Sequence, residues 1–300
     1  MRNIEFEKIA EAVESLCIAA AYELPTDVLS ALEKAAQKET NPTAVKILSQ
    51  LIENARIAKE EKIPLCQDTG LAVVFVEQGA DVAVEAQGGK TLVDAINAGV
   101  AAGYEKGYLR KSIVAEPLSK RKNTGTNAPA IIHHTIMPGD KLKITVMAKG
   151  GGCENKSSFK MFKPTAERAE IIEWVVGVVK TAGADACPPF IVGVGVGGDF
   201  ELSCLLSKKA LLRNLGEKNG NKFSENDIGK QASEKSSEFY ADLESDLLSA
   251  INALGLGPQG LGGDTTALAV GVETAPCHIA SLPVAVNIEC HSHRHKSAVI

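Results

Sequence analysis

The sequence predicts an α+β fold in one domain over residues 1–300, with a helical N-terminal part (1–61) followed by a mixed α/β part (62–300). Three observations predict it. Apolar residues recur every three or four positions through residues 4–61, the spacing of a helix face. From residue 71 the texture changes to short apolar runs separated by glycine-rich turns, the signature of strands. The 300 residues, 45% hydrophobic and 23% charged, suffice to bury a large core.

The N-terminal helices are marked by Ile9, Val13, Leu16, Cys17 and Ala20, by Val28, Leu29 and Leu32, and by Val45, Leu48, Leu51, Ile52 and Ala55. Pro25 and Pro42 fit near the starts of the second and third, with Thr26, Asn41 and Thr43 as capping candidates. Their polar outer faces suggest a cover or an interface. Strands are expected at 71–76, 130–136, 142–148, 190–196, 266–272 and 281–288, and helices at 92–104, 167–182, 202–212 and 225–254. This partial alternation argues for a mixed sheet. The polar stretch GEKNGNKFSEND, 216–227, reads as a surface loop.

The totals exclude several classes of function. A net charge of -5 without a basic stripe, and an aromatic content of only 4%, argue against nucleic-acid binding and against an anionic membrane surface. No apolar run reaches the ~18 residues a membrane span needs, and the acidic N-terminus does not read as a signal peptide, so a cytoplasmic location is expected. The seven cysteines are an odd number spread over a long chain, which suggests thiols or ligands, not a disulfide framework.

Five junctions could carry chemistry: PLCQDTG (64–70), KGGGCENKS (149–157), ADACPPFIVGVGVGGD (184–199), GLGPQGLGGDTT (255–266) and PCHIASLPVAVNIECHSHRH (276–295). Successive glycines let backbone N–H groups converge on an anion. GVGVGG, 193–198, formally satisfies G-x-G-x-x-G. A helix and then a polar loop come after it, however, where a dinucleotide site needs a second strand closing on an acidic residue. A tight strand-to-helix turn near a small anion fits better.

No CxxC pair is present, but Cys66, Cys187 and Cys290 all lie at Gly- or Pro-flanked corners, and distant single thiols can converge. Pro188 and Pro189 after Cys187 fix its backbone, a feature also found in iron–sulfur ligation. Cys17 and Cys204, among Leu and Ala, read as small buried residues. His133 and His134 read as structural. His278, after a Pro-Cys corner, is placed to present an imidazole to a pocket, and His291, His293, Arg294, His295 and Lys296 read as a solvated basic chain end.

Taken together, CQDTG, KNTGTNAPA (122–130), AKGGG followed by ENKS, DACPP, GLGPQGLGG and PVAVNIECHSHR resemble the alpha subunit, or N-terminal half, of the class I iron–sulfur hydro-lyases. That family comprises fumarate hydratase and L(+)-tartrate dehydratase. The resemblance runs in order over about residues 5–296, and it implies Gly-rich loops around a [4Fe-4S] cluster. By resemblance Cys66, Cys187 and Cys290 are the ligands, with Cys277 the rival for the third place, and Cys153 is not one. Gln67, Arg110 and the N–H groups of Gly150, Gly151 and Gly152 are implied to bind a small dicarboxylate, and Asp68 and His278 to be catalytic.

ENKSSFKMFKPTA and TGTNAPA look like the fumarate branch, so reversible hydration of fumarate to L-malate is the expected reaction and tartrate dehydration the alternative. A non-catalytic cluster-binding partner is a third reading. An exposed iron implies oxygen sensitivity. The single-chain relatives place further arginines, a lysine and a threonine base in a C-terminal domain, so the resemblance implies an alpha subunit that is inactive until a beta subunit completes the site, assembled as alpha2beta2.

Overall fold

The computed structural model describes residues 1–85, 87–215 and 234–300. It is an α+β chain with elements in the order β1 (Arg2–Glu5), α1 (Phe6–Tyr22), α2 (Thr26–Lys38), α3 (Pro42–Glu61), β2 (Leu71–Gly79), β3 (Val82–Glu85), α4 (Leu92–Lys106), β4 (Ile131–Met137), β5 (Leu142–Lys149), α5 (Gly151–Glu154), β6 (Ser158–Phe162), α6 (Arg168–Ala182), β7 (Phe190–Gly197), α7 (Phe200–Ala210), α8 (Glu234–Asn252), β8 (Ala267–Ala275), β9 (Leu282–Glu289) and β10 (His295–Val299). All six expected strands form. The expected loop at 216–227, and the expected helix start at 225, lie outside the described residues. Among the described residues no helix is long and apolar enough to cross a membrane.

The chain divides into two compact units: residues 1–25, 54–151 and 294–300 form the first, and 26–53 with 152–293 the second. The three N-terminal helices are therefore shared between the units. In the first unit a four-stranded sheet has the order β10-β5-β2-β4, with β2 parallel to β4 and antiparallel to β5, while β1 and β3 form a separate parallel pair. Its core joins Ile9, Val13 and Leu16 of α1 to Ile96 and Val100 of α4 and to Val74, Val76, Ile144 and Val146 of the sheet. α1 and α4 approach closely because α4 carries glycine at the contact: a Cβ on Gly99 would lie 2.5 Å from the Ala10 carbonyl oxygen. Cys17 is buried in this core, as expected of a small apolar residue, and burial pushes its thiol up to about 12.

The second unit holds a sheet of order β6-β9-β7-β8, in which β9 runs antiparallel to both neighbours and β7 is parallel to β8. Every residue of β7 is buried. On one face Val192 and Val194 join Val175 and Val179 of α6 and Leu243, Leu247 and Ile251 of α8, each large side chain stabilising the fold by about 1.5–3 kcal/mol. On the other face α7 lies directly on the strand backbone. A Cβ on Gly193 or Gly195 would sit 2.0 Å from the carbonyl oxygen of Ser207 or Ser203.

The alternating glycines of GVGVGG thus serve helix packing. At the turn into α7, Gly197 and Gly198 take positive φ, and Asp199 caps the helix by accepting from the Leu202 N–H at 2.8 Å. The tight strand-to-helix turn is there, but a carboxylate already occupies the helix N-terminus, which corrects the expectation of a small anion at this place.

Polar side chains of residues 39–41 shape the start of α3 and join it to residues 264–265. Asn41 caps α3, its Oδ1 accepting from Thr43 N–H at 2.9 Å. Glu39, just past α2 and buried, accepts from the N–H groups of Asn41, Asp264 and Thr265 at 2.8–3.2 Å. The Asp264 carboxylate in turn accepts from Thr40, whose hydroxyl lies at 2.6 Å.

Replacing Gly195 by alanine is expected to lower stability by about 2 kcal/mol or more, through overpacking against α7. Gly177→Ala, in α6 where nothing lies within 4 Å of the added methyl, is expected to raise it by about 0.5–1 kcal/mol. Chemical denaturation of the two variants checks both signs.

Candidate functional site

The CQDTG corner belongs to the first unit, where it links α3 to β2. Gly70 takes φ +73, and a Cβ there would lie 2.7 Å from the backbone of Lys149, so only glycine lets β2 and β5 close at this point. Three consecutive carbonyl groups of the corner are held by side chains. Arg294 Nη1 donates to Asp68 O at 2.6 Å, the Tyr104 hydroxyl to Thr69 O at 2.8 Å and to Gly70 O at 3.1 Å, and Asn127 Nδ2 to Gly70 O at 3.1 Å. Asn127 comes from TGTNAPA, adopts φ 59, and accepts from the Ser112 N–H through Oδ1 at 2.6 Å. The Thr69 hydroxyl donates to the Arg110 carbonyl at 2.8 Å, which fixes the backbone of that arginine beside the corner.

Asp68 is engaged on both carboxylate oxygens. Oδ1 accepts from the Gly70 N–H at 3.0 Å and Oδ2 from the Gly151 N–H at 2.8 Å. The AKGGG loop therefore spends the Gly151 donor on Asp68. An ideal Cβ on Gly150 would come within 3.5 Å of both Asp68 Oδ2 and Arg294 Nη2. Cys66 is half-buried, and Gln67 and Arg110 are exposed.

The sequence alone does not reveal the part played by Arg294. The basic tail is not a solvated end: His293 and Arg294 are 0% and 1% exposed, and His293 Nε2 lies 2.7 Å from the Leu211 carbonyl. Charge suggests solvent, because nothing local to HSHRH reports which side chains turn inward. Tyr104, Asn127 and Glu39 escape notice for the same reason, each holding a partner far along the chain: Gly70 lies 34 residues from the tyrosine and 57 from the asparagine, and Asp264 lies 225 from the glutamate.

In the second unit Cys187 is exposed and ends a short 3₁₀ turn, Gly183–Ala186, in a left-handed conformation at φ 56, ψ 66. Such a conformation costs a non-glycine residue roughly 1 kcal/mol and persists only where the surroundings impose it. His291, the residue after Cys290, supplies part of them: its N–H donates to Cys187 O at 3.4 Å and its Nδ1 lies 3.1 Å from the same oxygen. Gln259 of GLGPQGLGG supplies more, donating to Pro188 O from N at 2.8 Å and from Nε2 at 3.0 Å, with Nε2 also 3.1 Å from His291 Nδ1. The Gln259 loop thus braces the DACPP corner.

The structure brings Cys187 and Cys290 into one loop cluster at the β7-start, β9-end edge of this sheet, and it adds Cys153 and Glu289. The Sγ atoms of Cys153 and Cys290 and a carboxylate oxygen of Glu289 lie within 4.8 Å of one another. Gly152 is exposed, with an ideal Cβ 3.6 Å from Asp185 O. Cys277 and His278 fall elsewhere, exposed in the loop before β9. Eight strand residues, about 26 Å at ~3.3 Å each, separate that loop from Cys290. His278 does not share the end of the sheet that holds the thiols. Its Nδ1 accepts from the Ala280 N–H at 3.1 Å.

All seven cysteines are free thiols. Soft thiol donors at a strained, proline-flanked corner beside a second buried thiol suit a thiolate-held iron group, and the donor chemistry fits an iron–sulfur cluster better than a hard, oxygen-ligated ion.

A thiol corner of this kind suits an iron–sulfur group, and the comparisons identify the chain as a hydro-lyase. The fumarate hydratase (Fumerase) family matches residues 10–299, and the chain belongs to it. A putative L(+)-tartrate dehydratase subunit alpha of Methanocaldococcus jannaschii is 38% identical over 291 residues, 96% of this chain and 95% of that protein. The L(+)-tartrate dehydratase subunit alpha of Escherichia coli strain K12 is 28% identical over 295 residues, 98% and 91% of the two chains.

Tyr104→Phe removes the donor to two carbonyl groups while keeping the ring, and is expected to cost about 1–3 kcal/mol and to speed alkylation of Cys66. Burial holds the Tyr104 hydroxyl above its ordinary range and the Cys17 thiol near 12. Both groups stay protonated in the folded chain at pH values where the unfolded chain ionises. The stability they contribute is thus complete below pH 9.0, the ordinary thiol value, and declines as pH rises from there toward 12. Denaturation midpoints across that range check the sign.

Proposed function

We propose that this chain is the alpha subunit of a two-subunit [4Fe-4S] hydro-lyase that interconverts fumarate and L-malate. The observation that carries the reading is the match to the fumarate hydratase family over residues 10–299 in a chain whose DACPP and IECH corners meet. In this reading Cys66, Cys187 and Cys290 hold the cluster as thiolates. When bound, such a cluster with one iron lacking a protein ligand supplies a Lewis acid for the leaving oxygen.

The chain's own residues bind and orient the substrate. Arg110, with its backbone fixed by Thr69, offers a planar guanidinium suited to bidentate capture of a carboxylate. Gln67, exposed next to the first thiol, offers amide donors and an acceptor. Asp68, through its bonds to the Gly70 and Gly151 N–H groups, fixes the turn that presents Cys66 and Gln67 and holds the AKGGG loop against it. Of the three glycines, Gly150 and Gly152 keep N–H groups for substrate oxygens in this reading. The base for the C–H proton and further cationic groups come from a beta subunit, a partner supported by the "subunit alpha" in the relatives' names, in an alpha2beta2 assembly in the cytoplasm. By resemblance His278 is a catalytic candidate, presented from the exposed loop before β9.

A second reading, L(+)-tartrate dehydration, is favoured by the names of the relatives matched. It uses the same residues on a substrate with one more hydroxyl group.

Co-expression with the beta chain, followed by anaerobic assays on L-malate, fumarate and L(+)-tartrate, separates the two. Malate–fumarate turnover is expected to exceed tartrate dehydration, and the reverse preference overturns the first reading. The cluster-loaded chain alone is expected to be inactive. Arg110→Ala is expected to raise KM about 10–100-fold, the cost of losing a charge-assisted pair. Cys187→Ser is expected to lower bound iron as well as activity.

A further inference from the structure

The cluster reading leaves Cys153 and Glu289 without a role, yet among the described residues they meet Cys290 in a group of three potential ligand atoms within 4.8 Å of one another. The geometry points to a mononuclear site for a thiolate-loving divalent cation, of the zinc or ferrous class, formed by Cys153, Glu289 and Cys290 in the cluster-free chain. Because Cys290 serves both, this ion and the cluster exclude one another. Only that exclusion rests on the proposed hydro-lyase function; the metal site itself stands on the three side chains.

Two thiolates and a carboxylate are a donor set that borderline-soft divalent ions accept. A tetrahedral ion with metal–sulfur bonds of about 2.3 Å places its donors about 3.5–3.8 Å apart. The three atoms, already within 4.8 Å of one another, must therefore close by about 1.3 Å at most. Cys153 lies in α5, and Glu289 and Cys290 lie at and just past the end of β9, which pairs with β7 through Glu289.

All three are buried, at 4%, 0% and 8% exposure, so an ion here is stripped of most of its water and brings positive charge to a carboxylate that has no access to solvent. Without the ion the thiols, weak donors, make long hydrogen bonds, Cys153 Sγ donating to Ala186 O at 3.5 Å and Cys290 Sγ to Glu289 Oε1 at 3.9 Å. Metal binding releases those protons. Three protein donors leave one position for water, as in sites that exchange a ligand.

The test uses the full chain, reduced and stripped of metal under anaerobic conditions, and titrated with Co²⁺ as an optical probe and Zn²⁺ as competitor. One equivalent of Co²⁺ is expected, with thiolate-to-cobalt charge-transfer absorption. Cys153→Ser and Glu289→Gln should each weaken binding by more than about tenfold, while Cys204→Ser leaves it unchanged. One equivalent of Zn²⁺ should slow cluster rebuilding from Fe²⁺ and sulfide in the wild type, but not in Cys153→Ser. Cys153→Ala and the thermal midpoints of all variants separate ligand loss from misfolding.

Equal Co²⁺ affinity in Cys153→Ser and wild type overturns the inference, as does a site lost on Cys187→Ser but kept in Cys153→Ser. If Co²⁺ binding depends on Cys153 and the chain never builds a cluster, the cluster reading fails and the metal site stands. If a cluster forms and Co²⁺ ignores Cys153, the reverse holds.

Discussion

Arg294, Tyr104 and Asn127 hold the three carbonyl groups of residues 68–70, and much of the first unit's functional surface depends on that grip. A run of side-chain donors to consecutive carbonyls is what a chain needs where it must leave a helix, turn, and enter a strand at once, because neither element supplies those oxygens with partners. With the carbonyls satisfied, the Asp68 carboxylate is free to gather N–H groups on the other side of the turn. One of these belongs to the loop after β5, so the same residue that shapes the corner also sets where the triple glycine begins. The register of β2 against β5, with Leu71 opposite Lys149, leaves these two loops side by side.

The second unit solves a related problem with different means. Its thiol corner is a left-handed cysteine followed by two prolines, conformations that offer few backbone donors of their own. Gln259 and His291 reach in from two other loops to satisfy the oxygens there. In both units a corner bearing a proposed ligand is held from outside by polar side chains remote in sequence. A lone thiol can therefore be placed well without the close-spaced partner that a zinc-type pair provides.

How much of this the sequence disclosed depends on the range of each signal. The six strands expected were those whose apolar runs report burial locally, from LAVVFV to SLPVAVNI. The four others, at Arg2–Glu5, Val82–Glu85, Ser158–Phe162 and His295–Val299, are short or polar. HKSAV is a strand because β5 offers it an edge and Ser297 meets Thr145 at 2.7 Å, not because of its composition. The loops carrying chemistry were legible as glycine clusters, but their purpose was not. Glycine marks close approach without saying to what, and in GVGVGG the approaching body is a helix. Cys66, Cys187 and Cys290 stand out by their Gly- or Pro-flanked corners and are assigned as ligands by resemblance; that Cys153 and Glu289 lie against Cys290 is visible only once β9 ends beside α5.

The buried Glu39 changes how the N-terminal helices are understood. By polarity they read as a cover, something laid over a finished core. Yet the residue just past the second helix collects the N–H groups of Asp264 and Thr265, and so gives the GLGG loop its shape from more than two hundred residues upstream. That loop's own Gln259 braces the thiol corner. A chain shortened to begin after residue 40 would keep both proposed ligand corners and every glycine-rich loop and still lose a carboxylate that organises the last of those loops. In such a chain, damage to the thiol corner would come from the opposite end of the sequence, with no proposed ligand altered.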